Sequence, residues 1–390
     1  MNNRIFALAI SLLIFASCKN EDKKAEGSAP LTKDSAISQS LTDPYFYKSL
    51  EGTIAGKPVV LNLVKTGNRL DANYYYTEKG QPIFLMKNWE KTAKDSFYFI
   101  EITNPSNGQS AQLSMAIVTN GLRGTWTSAD GAASYPIDLK TTSADAPLEL
   151  IAMSKIDTAY YTRFKSDTPT LKAAVTVVAA SGHDDHAEWL NDRVKSIIAN
   201  GNKKLKNLSL SQTVDALVSD AVNGYEAEVD SSIVGVDDDG PHYFLNREYE
   251  TLSNVIFNQH GLLTLSVFNY AYTGGAHGNH ATSMHCFDLT NRKELKLSDI
   301  TSADSVVLGR LLEQQYRKQY EVPAGTPLSQ RLFVDKLAPN NNFYLSPTGI
   351  GFCYAPYEIA SYADGQINIW IPFSDLKGYL NPEFAKRMHL

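Results

Sequence analysis

The sequence predicts an α+β protein: an N-terminal all-β module, barrel-like or a meander, followed by a unit with an antiparallel sheet and flanking helices. Three observations point there. From Tyr45 to Leu139, short strand-like runs alternate with turn signals, and no amphipathic helix of normal length interrupts them. After the polar stretch Thr141 to Pro147 the composition shifts, and two runs place apolar residues at helical spacing. Period-two runs then return as apparent hairpins, with one more amphipathic helix among them. At 390 residues, 43% hydrophobic and 11% aromatic, the chain can bury sizeable cores, and its length suggests two or three domains.

At the N-terminus, Arg4 precedes the apolar run Ile5 to Phe15, and Ala16-Ser17-Cys18 follows. The run is too short to span a bilayer permanently, so residues 1–18 read as a signal peptide of the lipoprotein type, with Cys18 as the lipidated first residue. The alternative is an ordinary secretory peptide with a coincidental cysteine. The lipoprotein reading predicts a lipid-anchored protein of the cell envelope, on the periplasmic face of an outer membrane or on the cell surface, with the membrane as partner. Residues 19–42, rich in Lys, Glu, Asp, Ser, Ala and Gly, read as a flexible tether. Its Lys19-Asn20-Glu21-Asp22 resembles signals that send Bacteroidetes lipoproteins to the cell surface. A net charge of −6, with no basic run interleaved with aromatics, argues against nucleic-acid binding.

Residues 43–140 carry the β module. Strands are expected over Gly52 to Val64, Arg69 to Thr77, Pro82 to Met86, Phe97 to Ile102, Gln112 to Val118 and Gly121 to Thr127, set off by turns such as Thr66-Gly67-Asn68 and Thr119-Asn120-Gly121. Tyr74-Tyr75-Tyr76 and Gly124-Thr125-Trp126 resemble a barrel-like module found in other bacterial lipoproteins. Core packing is favoured over a sugar platform for these aromatics, because Tyr75 and Trp126 lie on different strands.

Residues 148–235 read as strands Ile151 to Thr162 and Leu171 to Ala179, a helix from Asp184 to Asn200 closed by Gly201, and a second helix through Leu210, Val214, Val218 and Tyr225. Residues 240–390 read as a hairpin of Asn246 to Gln259 with Gly261 to Tyr270, and another of Thr282 to Leu289 with Leu295 to Leu297. A helix over Ala303 to Tyr320 is expected to be capped by Thr301 or Ser302, with Val306, Val307, Leu311, Leu312 and Tyr316 as its apolar stripe. Phe343 to Leu345, Gly351 to Tyr354 and Gln366 to Ile371 are expected to close the sheet, and Ser374 to cap a final helix.

The most informative stretch is Asn269 to His280, where an inner strand meets the glycine-rich turn Thr273-Gly274-Gly275-Ala276-His277-Gly278. Tyr-Thr-Gly-Gly-Ala-His-Gly, then Phe287-Asp288-Leu289 and Leu297-Ser298-Asp299-Ile300, occur in the order seen in one extracytoplasmic domain family. The match continues through Phe343-Tyr344-Leu345, Pro356-Tyr357-Glu358-Ile359-Ala360, Tyr362-Ala363-Asp364-Gly365 and Ile371-Pro372-Phe373. Roughly residues 240 to 380 thus resemble the extracytoplasmic domain of the anti-sigma factor RsiV, which also occurs as the non-catalytic domain of the peptidoglycan deacetylase PdaC. Only Met1 to Arg4 precede the apolar run, so a sigma-binding segment is not expected. Nor is PdaC's separate catalytic domain, since the chain ends at Leu390.

The resemblance implies a binding role, with a lysozyme-like protein or peptidoglycan as partner and Tyr272, Thr273, Gly274, Gly275, His277, Tyr357 and Tyr362 as ligand-binding residues. No catalytic residue, cofactor or metal is assigned. His277, His280 and His285 could hold zinc, but their spacing is not HExxH and no glutamate lies among them; only His277 matches the family pattern. His183-Asp184-Asp185-His186 is better explained as a helix cap, and Asp237-Asp238-Asp239-Gly240 as a solvated turn lacking calcium-loop spacing. The alternative function is an envelope hydrolase with His277 as base and Asp364 or Glu358 as partner; a structural envelope module is the third. Cys286 and Cys353 are either a disulfide or two buried thiols, the latter favoured. Nucleophile-elbow, phosphate-loop and dinucleotide motifs are absent.

Overall fold

The computed structural model describes residues 39–91, 93, 95–102, 110–142, 148–164, 167–233 and 241–390. The leader, Cys18, most of the tether and the Asp237 to Gly240 turn lie outside the described residues.

Eight strands form the first unit: β1 (Tyr45–Ile54), β2 (Lys57–Thr66), β3 (Arg69–Tyr76), β4 (Ile83–Lys87), β5 (Ser96–Glu101), β6 (Gln112–Val118), β7 (Gly121–Thr127) and β8 (Ser134–Thr141). Each pairs antiparallel with the next, and β8 returns to β1 with Leu50 opposite Thr141, so the barrel closes and leaves no open edge. Phe46, Leu50, Leu61, Leu63, Phe99, Leu113 and Leu139 fill it. Tyr74 points inward, and its hydroxyl donates to a Glu101 carboxylate oxygen at 2.6 Å that also accepts from Trp126 Nε1 at 2.7 Å. These two aromatics serve the barrel interior.

Two expectations fail here. The run Gly52 to Val64 is not one strand, because Ala55 (φ 55°) and Gly56 (φ 74°) make a tight hairpin turn with both residues left-handed. An alanine gives no turn signal, which is why the break was silent. Strand β8 was not expected at all: only Ile137 and Leu139 of it are buried, and Pro136 disguises it.

The second unit contains β9 (Leu150–Tyr160), β10 (Thr170–Ala180), α1 (Asp185–Ala199), α2 (Leu210–Ser232), β11 (Arg247–Gln259), β12 (Leu262–Tyr272), β13 (Asn279–Asp288) and β14 (Lys293–Glu294). Sheet order is β14-β13-β12-β11-β10-β9, antiparallel except that β10 and β11 run parallel, so their connection must cross over and carries both helices. Asp184 caps α1 by accepting from the His186 and Ala187 amides, which hold its carboxyl below the usual aspartate range. The capping reading of the His183 to His186 motif is therefore the one observed. Leu190, Val194, Val214, Val218 and Tyr225 pack the helices into one core with β9 and β10.

A third layer holds α3 (Leu297–Ile300), α4 (Ser305–Gln319), β15 (Phe343–Ser346), β16 (Gly349–Tyr354), β17 (Ile367–Pro372) and α5 (Pro382–Arg387). Contrary to expectation, β15 to β17 do not close the larger sheet. They form their own three-stranded sheet, since β14 already occupies the edge of β13 and the whole of β15 and β16 is buried. Phe257, Leu262 and Cys286 of the larger sheet meet Leu308, Leu312, Phe352 and Ile369 in a second core.

Three boundaries also differ. The strand expected at Leu295 to Leu297 is Lys293–Glu294, and Leu297 begins α3. Asp304, not Thr301 or Ser302, caps α4 by accepting from Val306 and Val307, while both hydroxyls turn to the Tyr379 carbonyl; Val306 is exposed in the first turn. Ser374 sits in a 3₁₀ turn, and the last helix starts at Pro382, where proline costs no hydrogen bond.

Barrel and sheet are joined by amides. Strand β11 bulges between Val255 and Phe257. Asn73 Nδ2 donates to the Val255 carbonyl at 2.6 Å, and Asn62 Nδ2 to the Ile256 carbonyl at 3.2 Å, with Tyr47 donating to Asn62 Oδ1 at 3.0 Å. This explains why β2 is apolar or buried on both faces whereas β6 alternates cleanly: one faces a partner layer, the other water. The end of the expected tether is held too, Gln39 clasping both backbone groups of Ala152 and Leu41 entering the barrel core. Asn73→Ala removes the side-chain donor to the Val255 carbonyl and the acceptor of a second Asn62 amide bond at 3.3 Å, so about 2 kcal/mol of stability should be lost. Urea unfolding followed separately by barrel and helix signals checks this, and a midpoint equal to wild type counts against the joint.

Cys286 and Cys353 are free and buried in different clusters, and burial pushes both thiols up to about 12.

Candidate functional site

The loop 273–278 joins β12 to β13, whose last paired residues are Ala271 with Asn279 and Tyr270 with His280. Gly274 (φ 85°) and Gly275 (φ 113°) take left-handed backbone angles. A side chain at Gly274 would also strike the Phe244 carbonyl at 2.2 Å, so only glycine lets the loop lie against the 243–245 turn. Arg247 braces that turn, donating from Nη1 to the Phe244 and Asn246 carbonyls and from Nε to Glu228 at 2.6 Å. Tyr272 closes the loop on itself, its hydroxyl donating to the Gly275 carbonyl at 3.1 Å. Thr273 is exposed.

The other wall comes from residues 355–365. Tyr362 donates to the Gly278 carbonyl at 2.6 Å, and its ring stacks on His277 with centroids 4.1 Å apart and planes at 22°. Tyr357 continues the column at 5.6 Å from Tyr362, and His280 meets Tyr362 edge-on at 5.6 Å. Gly278 is buried against the ring of Tyr270. His277 Nδ1 also lies 3.0 Å from the Gly278 carbonyl, which can only accept, so Nδ1 is the donor there.

Tyr357 stands out energetically. It is 58% exposed and held at φ 68°, a conformation that costs a side-chain-bearing residue about 1 kcal/mol or more. Its amide donates to the Ala360 carbonyl at 3.1 Å, closing a tight turn that lifts the ring outward.

The structure thus gathers His277, Tyr357 and Tyr362, while Tyr272, Thr273, Gly274 and Gly275 shape the loop. The carboxylates proposed as partners of His277 are engaged elsewhere. Glu358 accepts from the Ala355 amide and Asn340, and Asp364 from the amide and hydroxyl of Ser361. No hydrogen bond or ion pair joins either to His277 among the described residues. His285 is also separate, held by Glu294 at 2.8 Å and Ser283 at 2.9 Å.

Sequence reasoning missed the exposed pair Tyr243 and Phe244 on the loop's other flank, where they meet edge to face. It weighed His280 only as a metal candidate, and missed the cavity of about 540 Å³ that His280 lines with Tyr249, Glu250, Asn269, Tyr270 and Leu217 of α2. A 3₁₀ turn has no periodicity to betray it. The register that sets His280 opposite Tyr270 was nonetheless readable by counting back from the glycine turn.

Residues 183–280 match the family described as deacetylase PdaC, and residues 298–374 match a protein family of unknown function, DUF3298. The C-terminal part of the chain is a PdaC/DUF3298-type domain. The first match ends within β13, just past the histidine loop, and the second takes in α4, the three-stranded sheet and Tyr357 to Tyr362, so the PdaC/DUF3298-type domain contains both walls of the site. A crystal structure of a DUF3298-family protein from Bacteroides fragilis is similar at 24% identity and TM-score 0.54, over 63% of this chain and 99% of that one; it shows the shared fold. One from Pseudomonas aeruginosa has 15% identity and TM-score 0.42 over 62% and 97%. No curated protein matches the chain.

Proposed function

We propose that the chain is a membrane-anchored binding protein of the cell envelope, held by a lipid at Cys18, that takes a peptidoglycan fragment or a lysozyme-like protein on the Tyr357-Tyr362-His277 column. Tyr272, Thr273, Gly274 and Gly275 fix the loop that carries one end of that column. The observation that carries this reading is Tyr357, a large ring kept exposed at a backbone cost that packing alone does not reward. Planar rings with polar tips suit both ligands: they stack on the C–H faces of a sugar and anchor protein interfaces. The PdaC match supports an envelope ligand by analogy.

Titration calorimetry with muropeptides and with lysozyme tests this, and absence of binding to either at ~100 μM removes it. Tyr357→Gly sharpens the test. Glycine tolerates the left-handed angle, so the melting temperature should stay level or rise slightly while affinity drops about tenfold. A variant that melts earlier yet binds normally would make the ring structural. Palmitate labelling lost in Cys18→Ser checks the anchor.

A further inference from the structure

The end of the barrel where the chain enters carries a feature outside the PdaC/DUF3298-type domain. A cavity of about 230 Å³ lies between the β2–β3 turn, the end of β4 and the start of β5, and three of its lining residues are Lys65, Lys87 and Lys91. Among the described residues no carboxylate lines it, in a chain whose net charge is −6. Among the described residues none of the three lysines forms an ion pair. Lys65 lies 5.8 and 5.9 Å from the ring centres of Phe46 and Phe97. Lys87 sits 4.1 Å over Trp89 and donates to the Asn68 carbonyl, and Lys91 donates to Gln112 at 3.1 Å.

Holding three ammonium groups around one small cavity is unfavourable unless something offsets it. Burial keeps Lys65 and Lys87 below the usual lysine range; Lys65 lowers Lys87 further, while Asp43 and Asp95 only partly restore Lys65. Asn68, Ser96 and Tyr98 add neutral hydrogen-bonding groups to the wall.

We propose that this cavity binds a phosphate monoester group, free or on a lipid headgroup, through Lys65, Lys87 and Lys91. A dianion with tetrahedrally disposed oxygens offsets more of the charge of three surrounding cations than a planar monoanionic carboxylate does, and can meet them from three directions. The volume leaves room for a small substituent such as glycerol beside the phosphate. The chain enters at the same end, where the Gly67 amide donates to the Pro44 carbonyl at 2.7 Å, so a lipid source is tested alongside a soluble one.

The experiment titrates the full chain with glycerol 3-phosphate by calorimetry, and in parallel measures co-sedimentation with phosphatidylcholine vesicles with and without phosphatidic acid. Lys87→Gln and Lys91→Gln should each weaken binding about tenfold, Lys87→Arg should restore most of it, and Lys172→Gln, at an exposed position of β10, should change nothing. Circular dichroism confirms that each variant folds. Binding of glycerol 3-phosphate alone assigns a soluble ligand, and binding of phosphatidic acid vesicles alone assigns a lipid. No binding of either at ~10 mM phosphate groups, or equal weakening by Lys172→Gln, overturns the proposal.

Discussion

Tyr362→Ala is expected to weaken binding of muropeptide or lysozyme roughly 30-fold, about 2 kcal/mol. This residue has two jobs that can be separated. Its ring is the middle of the column between His277 and Tyr357, and its hydroxyl ties residues 355–365 to the Gly278 carbonyl at 2.6 Å. Tyr362→Phe keeps the ring and drops the hydroxyl, so it should cost about 1 kcal/mol of stability while leaving affinity within a few-fold of wild type. Calorimetry for binding and thermal melting for stability resolve the two effects. If Tyr362→Ala binds as wild type does, the column is packing rather than a contact surface.

Arg387→Ala should destabilise the protein by about 3 kcal/mol, more than Asn73→Ala or Tyr362→Phe. From α5 the guanidinium reaches the far end of the β12–β13 hairpin, donating to Asp288 at 2.5 Å, to the His260 and Gly261 carbonyls at 2.8 and 2.9 Å, and to Thr290 at 3.1 Å. Removing it leaves a buried carboxylate without its cation. Burial alone would raise the Asp288 carboxyl, but hydrogen bonds from Arg387 and Asn291 outweigh it and hold it below the usual range. A depressed folded-state value means that its contribution is present above the unfolded aspartate value of about 3.9 and is lost as pH falls through the folded one. Wild type should therefore lose stability below about pH 4 through this group. The variant, in which burial now dominates, should lose less over the same window. Melting curves at neutral pH and near pH 3 check both parts, and parallel pH profiles would count against the coupling.

The sequence was readable where local chemistry announces itself. Thr66-Gly67-Asn68 and Thr119-Asn120-Gly121 marked barrel turns, and Gln112 to Val118 and Gly121 to Thr127 are the observed strands β6 and β7. Asp184 ahead of an amphipathic run announced a helix start. It was unreadable where tertiary packing decided. Ala55 turns because Lys57 must pair back onto Ile54, not because alanine favours the left-handed region. Thr301 and Ser302 look like caps, yet the Tyr379 carbonyl claims both, leaving Asp304 to do that work. At the site, the glycine loop and the later tyrosines were legible as members of one ordered family pattern. That His277 and Tyr362, 85 positions apart in the chain, share a stack is a property of two sheets laid face to face, which no window of residues contains.

Burial of Cys286 and Cys353 gives the protein a built-in gauge. With acidity suppressed to about 12, each sulfur is almost wholly unionised near neutrality and screened by the layers around it. Where Cys18 carries its lipid, a maleimide dye can therefore report only on molecules whose larger sheet has parted from the three-stranded one. The pace of labelling then measures how often those layers separate, with no engineered probe.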